Sequence, residues 1–178
     1  EAGVYTSIFE ALAKGKRTVK EISDAAGVDG RNVNKYLNTL IRLQFVFKER
    51  PLFSEKNRKK VRYCIKDNFF DFWFKFVNSN LSELELGNVE QVENKIGQIF
   101  DSFVGRKFEQ VSEEALLVLN RKKELPFVFD KISCFWDNAK AGPVEIDRIA
   151  VNDKEKKLLV VECKWSEKVS PKTLLNSL

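Results

Sequence analysis

Two apolar runs joined by a charged turn, the second ending in Glu-x-Lys, constrain this chain more than any other feature. The first reads Val144-Glu145-Ile146-Asp147-Arg148-Ile149-Ala150-Val151, and the second Leu158-Leu159-Val160-Val161-Glu162-Cys163-Lys164. Both have the length and β-branched content of buried strands, and the polar stretch from Asn152 to Lys157 predicts a hairpin turn. A hairpin brings Asp147 near Glu162 and Lys164. The period-two alternation of a strand puts Glu162 and Lys164 on one face. Charges on a strand that otherwise reads Leu-Leu-Val-Val carry a desolvation cost, so they need a reason to be there. Asp147 likewise interrupts an apolar strand rather than sitting in a loop. Two carboxylates and an ammonium at a sheet edge suit a Mg²⁺- or Mn²⁺-dependent phosphodiesterase. Hard oxygen ligands hold the metal, the metal makes a water nucleophilic, and a lysine steadies the developing negative charge. A strand ending in Glu-x-Lys also occurs in ordinary sheets, so the pattern needs context.

Composition narrows the chemistry. With no histidine among 178 residues, Ser-His-Asp and Cys-His machinery and His-ligated zinc are excluded. The three cysteines, Cys64, Cys134 and Cys163, are scattered without a Cys-x-x-Cys, which fits neither a disulfide framework nor a structural zinc site. Hydrolysis by such a chain runs on carboxylates, lysines and a hard cation. No run approaches a membrane span and no signal-peptide pattern opens the chain, so a cytoplasmic location is expected. The absence of methionine, including at position 1, implies that Glu1 is not the native start.

The net charge of +5 is unevenly spread. Residues 1–66 carry 15 Lys/Arg against 7 Asp/Glu, whereas the remainder carries 16 against 19. A basic module joined to a slightly acidic one suggests that the first holds an anion, with nucleic acid the expected partner. Its pattern supports this. Ile8, Phe9, Leu12 and Ala13 form the apolar face of a first helix. Thr18-Val19-Lys20-Glu21 is a capping box that opens a second helix ending near Gly27. Asp29 caps a third helix running to about Leu43, with Val33, Tyr36, Leu37, Leu40 and Ile41 facing inward. Extended stretches from Phe45 to Arg50 and from Lys60 to Ile65 flank a polar loop. The sum reads as a winged helix-turn-helix.

The outward face of the third helix offers Arg31, Asn32, Asn34, Lys35, Asn38 and Arg42, residue types that reach base edges and phosphates in a major groove. The wing adds Lys56, Arg58, Lys59, Lys60 and Arg62 for phosphate contact. The same face also suits a protein-interaction winged helix. Between Phe69 and Phe76 lie six aromatics in eight positions. A single-strand stacking platform is one reading. Phe69, Phe72, Trp73 and Phe76 also follow helical spacing, which predicts core packing or a domain seam. The polar stretch from Asn78 to Asn94 reads as a junction, and a long helix is expected from about Ile96 to Asn120.

Asp147 with Glu162-x-Lys164 resembles the motif of the PD-(D/E)xK nuclease superfamily. Glu109, within Gly105-Arg106-Lys107-Phe108-Glu109, matches the helix glutamate that often completes that superfamily's acidic cluster. The order of pieces is more specific. A winged helix is followed by the aromatic segment from Tyr63 to Phe76, Gly105-x-x-Phe108-Glu109, Glu145-Ile146-Asp147 and Glu162-Cys163-Lys164-Trp165-Ser166. This order resembles the C-terminal portion of the archaeal-type P-loop ATPases over nearly the whole chain.

The resemblance implies an α+β fold. Residues 1–66 form a winged helix-turn-helix domain and 67–95 an aromatic helix and junction. Residues 96–178 form a restriction-endonuclease-like α/β domain that is C-terminally incomplete. It implies DNA as partner, an N-terminal ATPase domain in the parent chain, no membrane, and room for a homo-oligomer. Asp147 and Glu162 would hold Mg²⁺ or Mn²⁺ with the Cys163 carbonyl, Glu109 would assist, and Lys164 would steady the charge. No P-loop is present, because Glu10 stands where an earlier glycine is required before Gly15-Lys16, so ATP belongs only to the missing domain. A non-catalytic DNA-binding or regulatory module on a nuclease-like scaffold stays open, as does a protein-interaction module docking the ATPase domain.

Overall fold

The computed structural model describes residues 2–54, 60–139 and 142–166. The chain is α+β and divides into two compact units. Residues 1–49 and 59–97 form the first, and residues 50–58 with 98–178 form the second.

In the first unit three helices precede a hairpin: α1 (Ala2–Ala13), α2 (Val19–Ala26), α3 (Gly30–Arg42), β1 (Val46–Glu49) and β2 (Arg62–Ile65). The local signals act as expected. The Thr18 hydroxyl accepts the Glu21 N–H at 3.3 Å, and the Glu21 carboxylate accepts the Thr18 N–H at 2.9 Å. Gly27, at φ 65°, ends α2 in the left-handed conformation that glycine adopts without a Cβ penalty. The Asp29 carboxylate accepts the Arg31 N–H at 2.9 Å and opens α3. Ile8, Ile22, Val33, Leu37 and Val46 form the dry centre. The hairpin pairs Val46 with Ile65 through Glu49 with Arg62. The Tyr63 N–H also donates to the Arg17 carbonyl at 2.8 Å, bringing the α1–α2 connection onto β2.

The aromatic segment is α4 (Asn68–Phe72), followed by a π-helical turn from Trp73 to Val77. The predicted core stripe is only partly right. Phe76 is buried, but Phe70 and Phe74 pack on the core, while Phe69 and Trp73 face outward. With aromatics on every side of the helix, periodicity cannot choose a face. The rings of Phe9 and Phe45 choose it, at 4.8 Å from Phe74 and 5.0 Å from Phe70. The stretch read as a polar junction is also largely helical. A short 3₁₀ turn (Asn78–Asn80) leads into α5 (Leu81–Glu85), and α6 begins at Val89 and runs to Lys122. Sparse apolar residues hid it: Val92 alone on that part of α6 is buried, and Lys95 pairs with Glu83 at 2.6 Å.

The second unit contains the remainder of α6 from Gln98 and an antiparallel sheet of β3 (Lys131–Ala139), β4 (Gly142–Asn152) and β5 (Lys157–Val161), in that order. Asn120 of α6 exchanges two hydrogen bonds with the Phe129 backbone, at 2.9 and 3.1 Å. Asn152 donates to the Val128 carbonyl at 2.7 Å and accepts the Glu155 N–H at 2.8 Å, fixing the predicted β4–β5 turn. On one sheet face Phe135, Ile146, Ile149 and Val151 bury Leu52. Leu52 comes from the loop read as a wing, whose described part belongs to this second unit: the Leu52 N–H donates to the Cys134 carbonyl and the Ser133 hydroxyl to the Arg50 carbonyl. Lys56, Arg58 and Lys59 lie outside the described residues. If this docking holds, Leu52→Ala costs about 2–4 kcal/mol, as for other buried leucines, where a free loop leucine would cost almost nothing. The shift in urea midpoint measures it.

Candidate functional site

One irregularity places the charged residues of β4. Ser133 pairs with Ile149 and Phe135 with Ile146, so two residues of β4, Asp147 and Arg148, oppose the single residue Cys134 of β3. This is a β-bulge, which breaks alternation locally and re-aims side chains. Its effect is visible in the packing. Ile146 and Ile149, which strict alternation would put on opposite faces, both pack against Leu52.

Arg148 points the other way, toward α6, and is 4% exposed. Its Nε lies 2.6 Å from Glu113 and its Nη1 3.6 Å from Glu109, and Nη1 also donates to the Asp147 carbonyl. Glu109 and Glu113 sit one helical turn apart, where like charges repel, and the shared guanidinium removes that conflict. Asp147 turns to the backbone beyond β5. The β4–β5 ladder stops at Arg148 and Val161, and the Cys163 N–H donates to the Asp147 carboxylate at 2.6 Å. The aspartate thereby satisfies a donor that the sheet leaves behind.

Glu162 and Lys164 follow the strand end and pair with each other. That partner raises the Lys164 pKa above the ordinary lysine value, so Lys164 is a fixed ammonium and not a base. Asp147 is held above the ordinary aspartate range by burial and by the Glu162 charge, against the lowering effect of the Cys163 N–H. Burial pushes the Cys163 thiol above the ordinary cysteine value, against the lowering effect of the Ser112 hydroxyl bonded to it, which disfavours a thiolate there. Trp165 closes the group, 5.7 Å from the Phe108 ring and against Gly105.

The structure therefore brings Asp147, Glu162, Cys163 and Lys164 together. Glu109 lies on the same side, spoken for by Arg148. Sequence reasoning missed Arg148, Glu113 and Ser112. The available signal was a pair of glutamates four apart on a helix facing a strand that carries an arginine. Among the described residues, no group of three or more His, Cys, Asp or Glu side chains is placed to hold a metal ion.

A second surface belongs to the first unit. Arg31, Asn32, Asn34, Lys35, Asn38 and Arg42 are all exposed along α3, opposite the buried Val33, Leu37 and Leu40. Lys48 joins them through Asn38 at 3.4 Å. Lys60 and Arg62 are half-buried.

An α+β chain with an ionic cluster between a helix and a bulged strand defines the class. Residues 73–174, which include all the site residues of the second unit, match DUF234, described as archaea bacterial proteins of unknown function. The chain belongs to that family. It is also 38% identical over 167 residues to an uncharacterized protein of Methanocaldococcus jannaschii. The match takes in 94% of this chain and 37% of the relative, so the chain spans a little over a third of the curated relative's length. No solved structure matches it. Among the described residues no helix is long and apolar enough to cross a membrane.

Two outcomes are expected. Arg148→Ala strands two carboxylates and costs about 2–3 kcal/mol, below the 3–5 of a fully buried pair because the glutamates keep roughly a third of their exposure. A Glu109→Gln/Glu113→Gln background shrinks that cost, as a double-mutant cycle in urea would read. For Asp147, the raised folded pKa means that ionisation penalises the folded state. Below the ordinary aspartate range both folded and unfolded chains hold the proton, and the penalty vanishes; above the folded pKa it is fully present. Asp147→Asn, measured in EDTA, is therefore more stable than the wild type at neutral pH, with the difference fading toward acid.

Proposed function

We propose that this chain is the DNA-binding, nuclease-like portion of an archaeal-type P-loop ATPase: a winged helix-turn-helix followed by a PD-(D/E)xK-type scaffold. The observation that carries the reading is the convergence of Asp147, Glu162 and Lys164 at the end of the β4–β5 hairpin, with helix glutamates on the adjoining face of α6. Three further observations support it. Tyr63 hydrogen-bonds to Arg17 as the third strand of a winged helix would. The outward side of α3 is lined with arginine, lysine and asparagine. The relative's extra length accommodates an ATPase domain. On this reading the protein works in the cytoplasm.

The fit of a hard divalent cation divides by residue. Asp147 and Glu162 have the right oxygen chemistry, and their mutual repulsion favours a cation between them. Glu109 fits less well, since it faces the buried Arg148 guanidinium, which it shares with Glu113, whereas the Lys164 paired with Glu162 is exposed. Asp147, Glu162 and the Cys163 carbonyl would hold the ion. Bound there, it would polarise phosphate and make a water acidic. The chain's own contribution is electrostatic: the Lys164 ammonium, kept protonated by Glu162, would steady the negative charge that builds on the phosphoryl oxygens in the transition state. Residues of α3 hold the duplex and contribute salt-sensitive affinity.

A second reading, a DNA-binding module whose nuclease-like fold is only a scaffold, is favoured by the capture of Glu109 and Glu113 by Arg148. Cleavage separates the two. In Mg²⁺ or Mn²⁺ the complete parent protein is expected to cut linear, single-stranded or branched DNA, and Asp147→Asn and Lys164→Ala are expected to bind DNA without cutting it. Binding without cleavage in the wild type selects the scaffold reading. Lys35→Ala is expected to weaken duplex binding across sequences and to reduce the slope of log affinity on log salt by about 1. No salt-dependent DNA affinity at all would leave a protein-docking module.

A further inference from the structure

Phe69 and Trp73 are the aromatics that the core does not use. They are 66% and 38% exposed, although Phe70, Phe74 and Phe76 on the same segment pack inward. One helical turn apart, their ring centroids lie 6.1 Å from each other at an interplanar angle of 31°, so the two rings form a tilted shelf. The shelf has a rigid base. Phe69 stands edge-on to Phe70 at 6.3 Å, and Phe70 packs against Phe9 at 5.6 Å and Phe45 at 5.0 Å. An exposed pair held this way loses little conformational freedom when a flat ligand stacks on it.

The surroundings indicate which ligand. The exposed Lys66 precedes the shelf, and its Nζ lies 2.5 Å from the Gln44 side chain. The Lys66 N–H donates to the Phe45 carbonyl at 2.8 Å. Gln44 in turn follows Arg42 at the end of α3. Within one unit, the Lys66–Gln44 contact and the Phe45–Phe70–Phe69 ring contacts thus tie the shelf to the C-terminal end of α3, where Arg42 lies. Of the two acids flanking Phe69, Asp67 caps α4 by accepting the Phe70 N–H at 2.9 Å, and Asp71 is half-buried between the two ring residues. Exposed flat rings that follow Lys66 and adjoin the end of a cationic helix match unpaired nucleotides, which offer a stackable face and a phosphate at each step. An apolar protein surface would gain nothing from the cations.

We propose that Phe69 and Trp73 stack one or two unpaired bases adjoining the duplex held by α3, so that the favoured ligand is DNA with a duplex–single-strand junction. This rests on the DNA-binding reading of α3 and adds the structure of the substrate to it.

Fluorescence anisotropy with a blunt duplex, and with the same duplex carrying a short oligothymidine overhang, tests it on the present chain. The overhang is expected to tighten binding about tenfold, within the range that base–aromatic stacking supports. Phe69→Ala/Trp73→Ala is expected to lose that gain while keeping blunt-duplex affinity. Phe69→Tyr and Trp73→Phe, which keep the rings, are expected to retain most of it. Overhang binding is expected to quench tryptophan emission in the wild type and not in Trp73→Phe. An overhang that adds nothing, or a gain that survives the double alanine variant, overturns the proposal. So does a double variant that changes only self-association in light scattering. Failure of the parent reading looks different: blunt-duplex binding would be absent, or indifferent to Lys35→Ala.

Discussion

The β-bulge at Asp147 and Arg148 is the constraint on which the second unit depends. A strand of strict alternation could not place Ile146, Ile149 and Val151 together against Leu52, because the first two differ by an odd number of residues. The extra residue opposite Cys134 resolves this and keeps one face of the sheet dry. It also leaves two consecutive charged side chains to be settled away from that face. Arg148 goes to α6, and Asp147 goes to the backbone just past β5. Apolar packing and charge placement are thus two consequences of a single inserted residue.

Arg148 converts the bulge into a register between helix and sheet. A guanidinium this buried is expensive unless several acceptors meet it. Glu109 and Glu113, one turn apart on α6, meet it from the helix side. Sliding α6 by one residue would turn both carboxylates away and leave a buried cation without them. The cluster contributes little net stability, given the desolvation of three charges, but it excludes alternative packings. Asn120, with its paired bonds to Phe129, does the same further along the helix, at a purely neutral contact.

The sequence made local features legible and long-range ones only in part. Thr18, Glu21 and Asp29 announced their caps because each acts within four residues. The β4–β5 turn was equally plain, since a polar insert between two apolar runs has few other uses. The aromatic segment was not, because rings on all sides of a helix erase the periodicity that would say which face is buried. Leu52 gave no signal either: one leucine in a charged loop is indistinguishable from a surface residue until the sheet that buries it is known. In the site, Asp147 stood out as a charge within an apolar run, and Glu162 and Lys164 as charges at the end of one. Arg148 was passed over as the neighbour of a more recognisable aspartate. The odd spacing of Ile146 and Ile149 around the pair was the clue that the strand bulges there.

Charge balance links these details to the proposed chemistry. The cluster contains four carboxylates, Glu109, Glu113, Asp147 and Glu162, against the two cations Arg148 and Lys164. Burial, with the Glu162 charge beside it, raises the Asp147 pKa. Among the described residues, Glu109 and Glu113 face Arg148 and Glu162 faces Lys164, whereas Asp147 accepts from the neutral Cys163 amide. Each half of the cluster thus keeps one negative charge in excess, Glu109 and Glu113 against Arg148 at the helix and Asp147 and Glu162 against Lys164 at the hairpin end. A divalent cation or a bound proton relieves the excess at the hairpin end. Capture of Glu109 by Arg148 thus counts against that glutamate as a ligand without weakening the case for the Asp147–Glu162 pair.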